Sequence, residues 1–117
     1  MVISKEKNLY EDAVRMLTSM GRFRVSLGLD RMTKVMELLG NPQDKLSCIH
    51  VAGTNGKGSV CSIISSVLVQ QGKKAGLYTS PHLFKYTERI KICGKDISDD
   101  DFSKYVFELV ELAEKNH

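Results

Sequence analysis

The residues of this chain with the clearest chemical meaning form one glycine-rich loop. It reads G-T-N-G-K-G-S from Gly53 to Ser59. Glycines let a backbone approach an anion closely and adopt dihedral angles that are closed to other residues. Where such a loop enters a helix, its N–H groups and the positive end of the helix dipole point at the anion. We therefore predict phosphate binding by Gly53, Thr54, Asn55, Gly56, Lys57, Gly58 and Ser59, with Asn55 able to take left-handed geometry.

Lys57 stands between the glycines and brings a full positive charge to the β/γ-phosphate region of a nucleotide. The common nucleotide loop reads G-x-x-x-x-G-K-[ST], and its hydroxyl directly after the lysine binds Mg²⁺. Here Val51 stands where the first glycine would be, and Gly58 separates Lys57 from Ser59. These departures predict a shorter loop in which Ser59 is displaced from the usual metal position. Its hydroxyl then contacts a phosphate oxygen or caps the helix.

Four segments of the chain are predicted to be helices, because apolar residues recur in them at every third or fourth position. The segments are Asn8 to Met20, Asp30 to Leu39, Ser59 to Gln71 and the stretch after Asp99. Asn8 and Asp30 are expected to cap the first two helices, and Ser98 or Asp99 the last one. Gly72 stands where a C-terminal glycine ends the third helix. The last helix is expected to bury Phe102, Tyr105, Val106, Leu109 and Leu112.

Three short apolar runs predict strands at Leu46–Ala52, Lys74–Thr79 and Arg89–Cys93. The first two strands and the helix between them form one right-handed β-loop-α-β unit. The predicted fold is α/β, a three-layer P-loop-type domain with a mostly parallel sheet and two N-terminal helices. Its segments are a helical region at 1–45, the β-loop-α-β unit at 46–79, a loop and strand at 80–97, and a helix at 98–117.

Length, charge and cysteines narrow the class of protein. The chain has 117 residues, which suits one domain, and its net charge of +3 is too slight to predict a nucleic-acid or membrane partner. Three widely spaced cysteines, Cys48, Cys61 and Cys93, predict reduced and mostly buried thiols of a cytoplasmic protein. We expect neither a signal peptide nor a membrane-spanning segment, because the apolar runs are too short.

Three further motifs accompany the loop: G-L-D-R at Gly28–Arg31, T-S-P-H-L at Thr79–Leu83 and T-E-R-I at Thr87–Ile90. Together and at this spacing, the four motifs resemble the N-terminal part of folylpolyglutamate synthases, including bifunctional dihydrofolate synthases, within the Mur ligase group. Members of this family are several times longer. The resemblance implies that the chain is the first part of the ATPase domain, without the C-terminal domain that binds glutamate.

The resemblance also implies a reaction and a set of site residues. ATP transfers its γ-phosphoryl group to a folate carboxylate, and the amino group of L-glutamate attacks the resulting acyl phosphate; dihydropteroate is a second possible acceptor. Lys57 is the implied catalytic residue and Ser80 the implied Mg²⁺ ligand. The implied folate side comprises Gly28, Leu29, Asp30 and Arg31 next to the pterin, and Pro81 and His82 at the start of a substrate loop.

Other interpretations of the same residues remain open. Ser80 also suits a plain turn before Pro81, and His82 an exposed loop histidine. Three alternatives to a folate ligase stand beside these: a Mur-type ligase with another acceptor, a nucleotide kinase, and a nucleotide-binding module without catalysis. The missing first glycine of the loop argues against the kinase. We expect the full-length relative to be a monomer, and the isolated chain to be inactive and to self-associate through an unpaired sheet edge.

Overall fold

The computed structural model describes residues 8–23 and 29–116 and divides them into two compact units. One unit combines the residues up to Ser47 with those from Asp99 onward, and the other comprises Cys48–Ser98. The helices are α1 (Leu9–Phe23), α2 (Asp30–Leu38), α3 (Lys57–Gln70) and α4 (Asp99–Lys115). The strands are β1 (Gly76–Tyr78), β2 (Ile90–Ile92) and β3 (Lys95–Asp96), and 3-10 turns occupy Pro42–Lys45 and Tyr86–Arg89.

The first unit is built on the packing of α1 against α4. Asn8 caps α1 as predicted, since its Oδ1 accepts a hydrogen bond from the Glu11 N–H at 3.2 Å. Ala13 is fully buried, and the Tyr10 and Phe102 rings meet with centroids 5.6 Å apart. Phe102, Val106 and Val110 form the buried stripe of α4, at spacings of four residues. Tyr105 and Leu109, which were expected in that stripe, are exposed.

Glycines end α2 and α3 in the same way. Gly40 has φ +79°, and its N–H bonds to the Glu37 carbonyl at 3.0 Å while Asn41 N–H reaches back to Met36. Gly72 has φ +77°, and the N–H groups of Gly72 and Lys73 bond back to Val69 and Leu68. Both are Schellman motifs, which need left-handed backbone at the glycine. The predicted role of Gly72 is therefore confirmed.

The start of α2 differs from the prediction. Asp30 is the first residue of the helix and Leu29 occupies the cap position, where no side-chain cap hydrogen bond forms. A carboxylate in the first turn still interacts favourably with the helix dipole, so Asp30 acts there by charge rather than as a cap. For α4 the helix begins at Asp99, which places Ser98 in the cap position.

The second unit holds α3 and a small antiparallel sheet in the order β1-β2-β3. Leu77 lies opposite Lys91 in the β1–β2 pair, and Lys91 lies opposite Asp96 in the β2–β3 pair. Cys93 and Gly94 form the two-residue turn between β2 and β3, with φ of 49° and 82°. Positive φ at both positions is the requirement of a type I′ hairpin turn. The sheet thus confirms the predicted strands at β1 and β2.

The predicted strand at Leu46–Ala52 is wrong for the structure described here. Leu46 follows the 3-10 turn in extended conformation, but 46–52 pairs with none of β1, β2 and β3. A strand needs neighbours that accept and donate its backbone hydrogen bonds, and the three described strands bond to one another instead. The predicted parallel sheet and its β-loop-α-β unit are therefore not confirmed. Leu46 and Ile49 remain 67% and 65% exposed.

The cysteines are free, but they are not buried as predicted. Cys48 and Cys93 are exposed and Cys61 is half-buried. Cys48 lies in the unpaired segment 46–52, and Cys93 occupies the hairpin turn between β2 and β3, so no sheet covers either thiol. The described helices include none that is long and apolar enough to cross a membrane.

Candidate functional site

The glycine-rich loop forms a short turn that ends at the first residue of α3. Gly53 and Gly56 carry the positive φ values of the loop, +149° and +78°. Asn55 does not share them, because Asn41 and Cys93 are the non-glycine residues with positive φ in the described part of the chain. The positive φ that Asn55 could tolerate is therefore taken by Gly53 and Gly56.

The start of α3 leaves three amide groups pointing out of the helix. Its first backbone hydrogen bond runs from the Val60 N–H to the Gly56 carbonyl at 3.0 Å. The N–H groups of Lys57, Gly58 and Ser59 precede that bond, so the helix itself supplies no acceptor for them. All three residues are exposed. This combination of outward N–H groups and helix dipole suits an anion such as phosphate.

Ser59 does not cap α3. The cap position belongs to Gly56, and no side-chain cap hydrogen bond forms there. Ser59 is the third residue of the helix and is exposed. Its hydroxyl is therefore available to a bound phosphate oxygen, which was the other predicted role.

Lys57 folds its side chain back over the loop, and its ammonium donates a hydrogen bond to the carbonyl oxygen of Gly53. An ammonium group has three N–H bonds, so this contact leaves two for a ligand. The charge is thus held on the loop at the N-terminus of α3. The structure brings together here the glycines, the lysine and the serine that the sequence predicts as a phosphate site.

Ser80 follows β1 and lies in the same unit as the loop. The chain runs along α3, turns at residues 71–75 and enters β1, which packs against α3. A strand packed on the helix that precedes it runs in the opposite direction, so the end of β1 returns toward the start of the helix. Ser80 is exposed, and its peptide bond to Pro81 is cis. From this order of elements we expect Ser80 on the side of α3 that holds Lys57.

His82 is half-buried in the loop that joins β1 to β2, which excludes the simple exposed-histidine interpretation. Its Nδ1 accepts a hydrogen bond from Arg89 Nε at 2.8 Å. Tyr86 lies under both groups, with its ring centroid 4.3 Å from that of His82 and 5.0 Å from the Arg89 guanidinium carbon. A cation over an aromatic face is attracted by the ring quadrupole. These three side chains hold the loop from one side.

Glu88 is the residue of this loop whose importance the sequence analysis did not find. Its carboxylate accepts hydrogen bonds from the N–H groups of Leu83, Phe84 and Lys85, at 2.8, 3.1 and 3.0 Å. These bonds, led by that from Leu83, lower the pKa of Glu88 below its usual value. A glutamate three residues after a cap position was the available signal, because it can reach back to the cap N–H.

The predicted pterin-side residues lie in the other unit. Gly28 is outside the described residues, and Leu29, Asp30 and Arg31 are exposed at the start of α2. A shallow apolar groove of about 360 Å³ adjoins them. It is lined by Leu29, Met32, Thr33, Met36, Asn41 and Gln43.

Metal ligands of the usual kinds do not cluster in the described part of the chain. The residues at 8–23 and 29–116 include no group of three or more histidine, cysteine or acidic side chains placed to hold an ion. Ser80, as a single hydroxyl, would supply one oxygen ligand only.

The whole arrangement of loop, helix and strands recurs in solved structures. The chain matches folylpolyglutamate synthase of Thermotoga maritima with a TM-score of 0.81 and 37% identity, over 91% of this chain and 24% of that one. It matches a folylpolyglutamate synthase complex with AMPPCP and folate with a TM-score of 0.77 and 35% identity, over 88% of this chain and 26% of that one.

The sequence comparison gives the same answer. Dihydrofolate synthetase of Saccharomyces cerevisiae is 46% identical over 93 residues, which are 80% of this chain and 22% of the yeast protein. The chain belongs to the folylpolyglutamate synthase and dihydrofolate synthase family. It spans about a quarter of the length of these relatives. A scan against models of known protein families finds no match.

Proposed function

We propose that this chain supplies the phosphate-binding part of an ATP-dependent ligase that adds L-glutamate to a folate carboxyl group. The observation that carries the proposal is the Gly53–Ser59 loop, with Lys57 folded over it, at the N-terminus of α3. A folylpolyglutamate synthase with the same fold at 35% identity is a complex with AMPPCP and folate, which supports both ligands.

ATP would bind with its phosphates against the start of α3. The N–H groups of Lys57, Gly58 and Ser59 and the Ser59 hydroxyl would contact phosphate oxygens, and the Lys57 ammonium would exchange part of its contact with Gly53 for a phosphate. Charge neutralisation and positioning are the main contributions a protein makes to phosphoryl transfer. Lys57 is the catalytic residue of this proposal, since it would touch the group that is transferred.

Mg²⁺ fits this site in part. The ion prefers oxygen ligands, keeps several waters and shares substrate phosphates, so one exposed hydroxyl such as that of Ser80 is an acceptable ligand. Ser80 would hold the ion from the end of β1, and the ion would neutralise charge on the phosphates. The described residues offer no acidic cluster beside it, so phosphate oxygens and water would fill most of its coordination sphere.

The proposed reaction has two steps. The folate carboxylate attacks the γ-phosphorus of ATP, forms an acyl phosphate and releases ADP. The amino group of L-glutamate then attacks the acyl carbon, loses a proton, forms the amide bond and releases phosphate. Dihydropteroate also carries a carboxylate, and its amide with L-glutamate would be dihydrofolate. Pro81 and His82 after β1, and Gly28, Leu29, Asp30 and Arg31 at α2, are proposed to face this acceptor.

We propose further that the 117-residue chain binds the nucleotide without ligating glutamate. Ser80 is the one metal ligand that we assign in it, and we assign no residue to glutamate. Binding without ligation would agree with this proposal. Formation of folyl-glutamate by the isolated chain would contradict it.

Titration calorimetry with AMPPCP tests the proposed nucleotide site. Lys57→Ala should lower affinity roughly 10- to 100-fold, because a hydrogen bond to a charged group is worth about 1.5–3 kcal/mol. The free energy of unfolding should change by less than about 0.5 kcal/mol, since Lys57 is exposed. Lys73→Ala, at the other end of α3, is the matched control and should bind as the wild type does. Equal AMPPCP affinity in Lys57→Ala would overturn the assignment.

A further inference from the structure

The loop that joins β1 to β2 is held by one carboxylate. Thr79 N–H bonds to the Arg89 carbonyl at 3.0 Å and closes the base of the loop. Inside it, Glu88 Oε1 accepts from Leu83 N–H, while Oε2 accepts from Phe84 and Lys85. Three successive backbone groups of the loop therefore converge on one side chain.

Apolar packing does not provide the same restraint at the tip of this loop. The side chains of Leu83 and Phe84 are 87% and 88% exposed. Their burial therefore contributes little to fixing the backbone between them. The charge-assisted hydrogen bonds to Glu88 are the stronger restraint, because bonds to an ionised acceptor are about twice as strong as neutral ones.

Adjacent residues restrain the two sides of the loop. Glu88 binds its tip at 83–85, and Arg89 binds His82, which lies next to the Ser80–Pro81 pair. Both restraining side chains leave the chain immediately before β2. Because β2 pairs with β1 in a fixed register, both restraints are anchored beside the strand that ends two residues before Ser80.

We propose that Glu88 is a positioning residue, which fixes the loop at 83–85 and thereby sets where Ser80 stands relative to the phosphate site at α3. The proposal rests on the proposed function, since it assumes that Ser80 acts on the metal–nucleotide complex. Glu88 itself would touch neither nucleotide nor metal. Its role would be to keep the Ser80 hydroxyl in place before the ligand arrives.

Amide hydrogen exchange measured by NMR tests the first half of this proposal. Glu88→Gln keeps the size of the side chain but removes its charge, so exchange protection of Leu83, Phe84 and Lys85 should fall roughly tenfold. Protection within α3 should stay unchanged and reports that the unit is folded. Glu108→Gln, an exposed position on α4, is the matched control. Undiminished protection at 83–85 in Glu88→Gln would overturn the proposal.

The affinity of AMPPCP with Mg²⁺ and with EDTA tests the second half. We expect Glu88→Gln to reduce the Mg²⁺-dependent gain in affinity roughly threefold or more, toward the value of Ser80→Ala, while the EDTA affinity stays within about twofold of the wild type. Glu88→Asp keeps the charge on a shorter side chain, so its Mg²⁺-dependent gain should lie between those of the wild type and Glu88→Gln. If Glu88→Gln does not fold, Glu88→Asp decides alone.

The outcomes separate this inference from the proposed function. A normal Mg²⁺-dependent gain despite lost protection at 83–85 would make Glu88 merely structural and overturn the inference alone. A wild type that binds no AMPPCP would overturn the proposed function, and the positioning role with it. A third outcome is that Glu88→Gln lowers the AMPPCP affinity in EDTA as much as it lowers the affinity in Mg²⁺. That result would also overturn the inference, because Lys57 and α3 would then depend on Glu88 as much as Ser80 does.

Discussion

At the scale of single residues, Gly58 is a glycine that the described chain does not itself require. Gly53 and Gly56 have positive φ, so the backbone of the loop itself requires glycine there. Gly58 lies within α3 and is not among the glycines with positive φ, and a Cβ added to it would meet nothing within 4 Å. Neither backbone geometry nor packing within the described chain explains this glycine. Close approach of a phosphate to the start of α3, as proposed above, would explain it.

Gly58→Ala should therefore separate stability from binding. The free energy of unfolding should rise by up to about 1 kcal/mol, because alanine has less freedom to lose and a better helix propensity. AMPPCP affinity should fall, since the methyl group would occupy the space of the phosphate. Urea unfolding and titration calorimetry measure the two effects.

Gly72→Ala is the matched control, because it changes a glycine at the opposite end of α3. Its φ of +77° strains an alanine, so stability should fall by about 1 kcal/mol while AMPPCP affinity is kept. An unchanged affinity in Gly58→Ala would mean that no ligand approaches this position. The residue would then be a plain first-turn glycine.

The residue identities of the loop were predictable from sequence, but the roles within it were only partly so. Gly53, Gly56 and Lys57 stand where the pattern places them. The backbone of Asn55 and the choice between the two roles of Ser59 stayed open, because which residue takes the positive φ and which one caps the helix depends on where α3 begins. Glu88 was missed because the capping pattern that ends in glutamate usually begins with Ser or Thr, whereas Lys85 holds the cap position here.

At the scale of elements, the helices were predictable, whereas the run 46–52 was wrongly predicted as a strand and β3 was not predicted. Helical periodicity is local, so α1, α3 and α4 follow from apolar spacing and from signals such as Asn8 and Gly72. The pairing of a strand depends on other strands. The apolar run 46–52 is typical of a buried strand, yet β1, β2 and β3 pair among themselves and leave it without a partner among the described strands.

The loop at 83–85 should lose its order in acid before the elements around it do. Three N–H groups stabilise the ionised carboxylate of Glu88, led by Leu83, and lower its pKa. A lowered pKa means that the contribution of this group to stability is complete above the ordinary glutamate pKa. It is lost as the pH falls through the lowered value.

Amide exchange of residues 83–85, corrected for the intrinsic rate at each pH, measures this loss. Protection should be constant from neutral pH down to the ordinary glutamate pKa and should decrease below it. In Glu88→Gln protection should be low and independent of pH over the same range. A simultaneous loss of protection in α3 would indicate acid unfolding of the unit instead.

At the scale of the whole molecule, the second unit exposes much apolar surface. Val60, Ile63 and Val67 form a stripe along α3 at spacings of three and four, and Ile63 is 65% exposed. Ile49 is a further exposed apolar residue of this unit. Large contiguous apolar patches are uncommon on monomeric proteins and favour association. The self-association expected from the sequence thus stays a prediction, with the α3 stripe as a second contact surface beside the sheet edge.

Ile63→Lys should weaken that association. Burial of an unpaired ammonium in an apolar contact costs more than about 1.4 kcal/mol, so the dissociation constant measured by sedimentation velocity should rise at least roughly tenfold. Gln70→Lys adds the same charge at an exposed polar position of α3 and should leave the dissociation constant unchanged. Association that persists undiminished in Ile63→Lys would exclude the stripe and leave the edge of the sheet as the contact. A wild type that sediments as a monomer at every concentration would contradict association through either surface, the α3 stripe or the sheet edge.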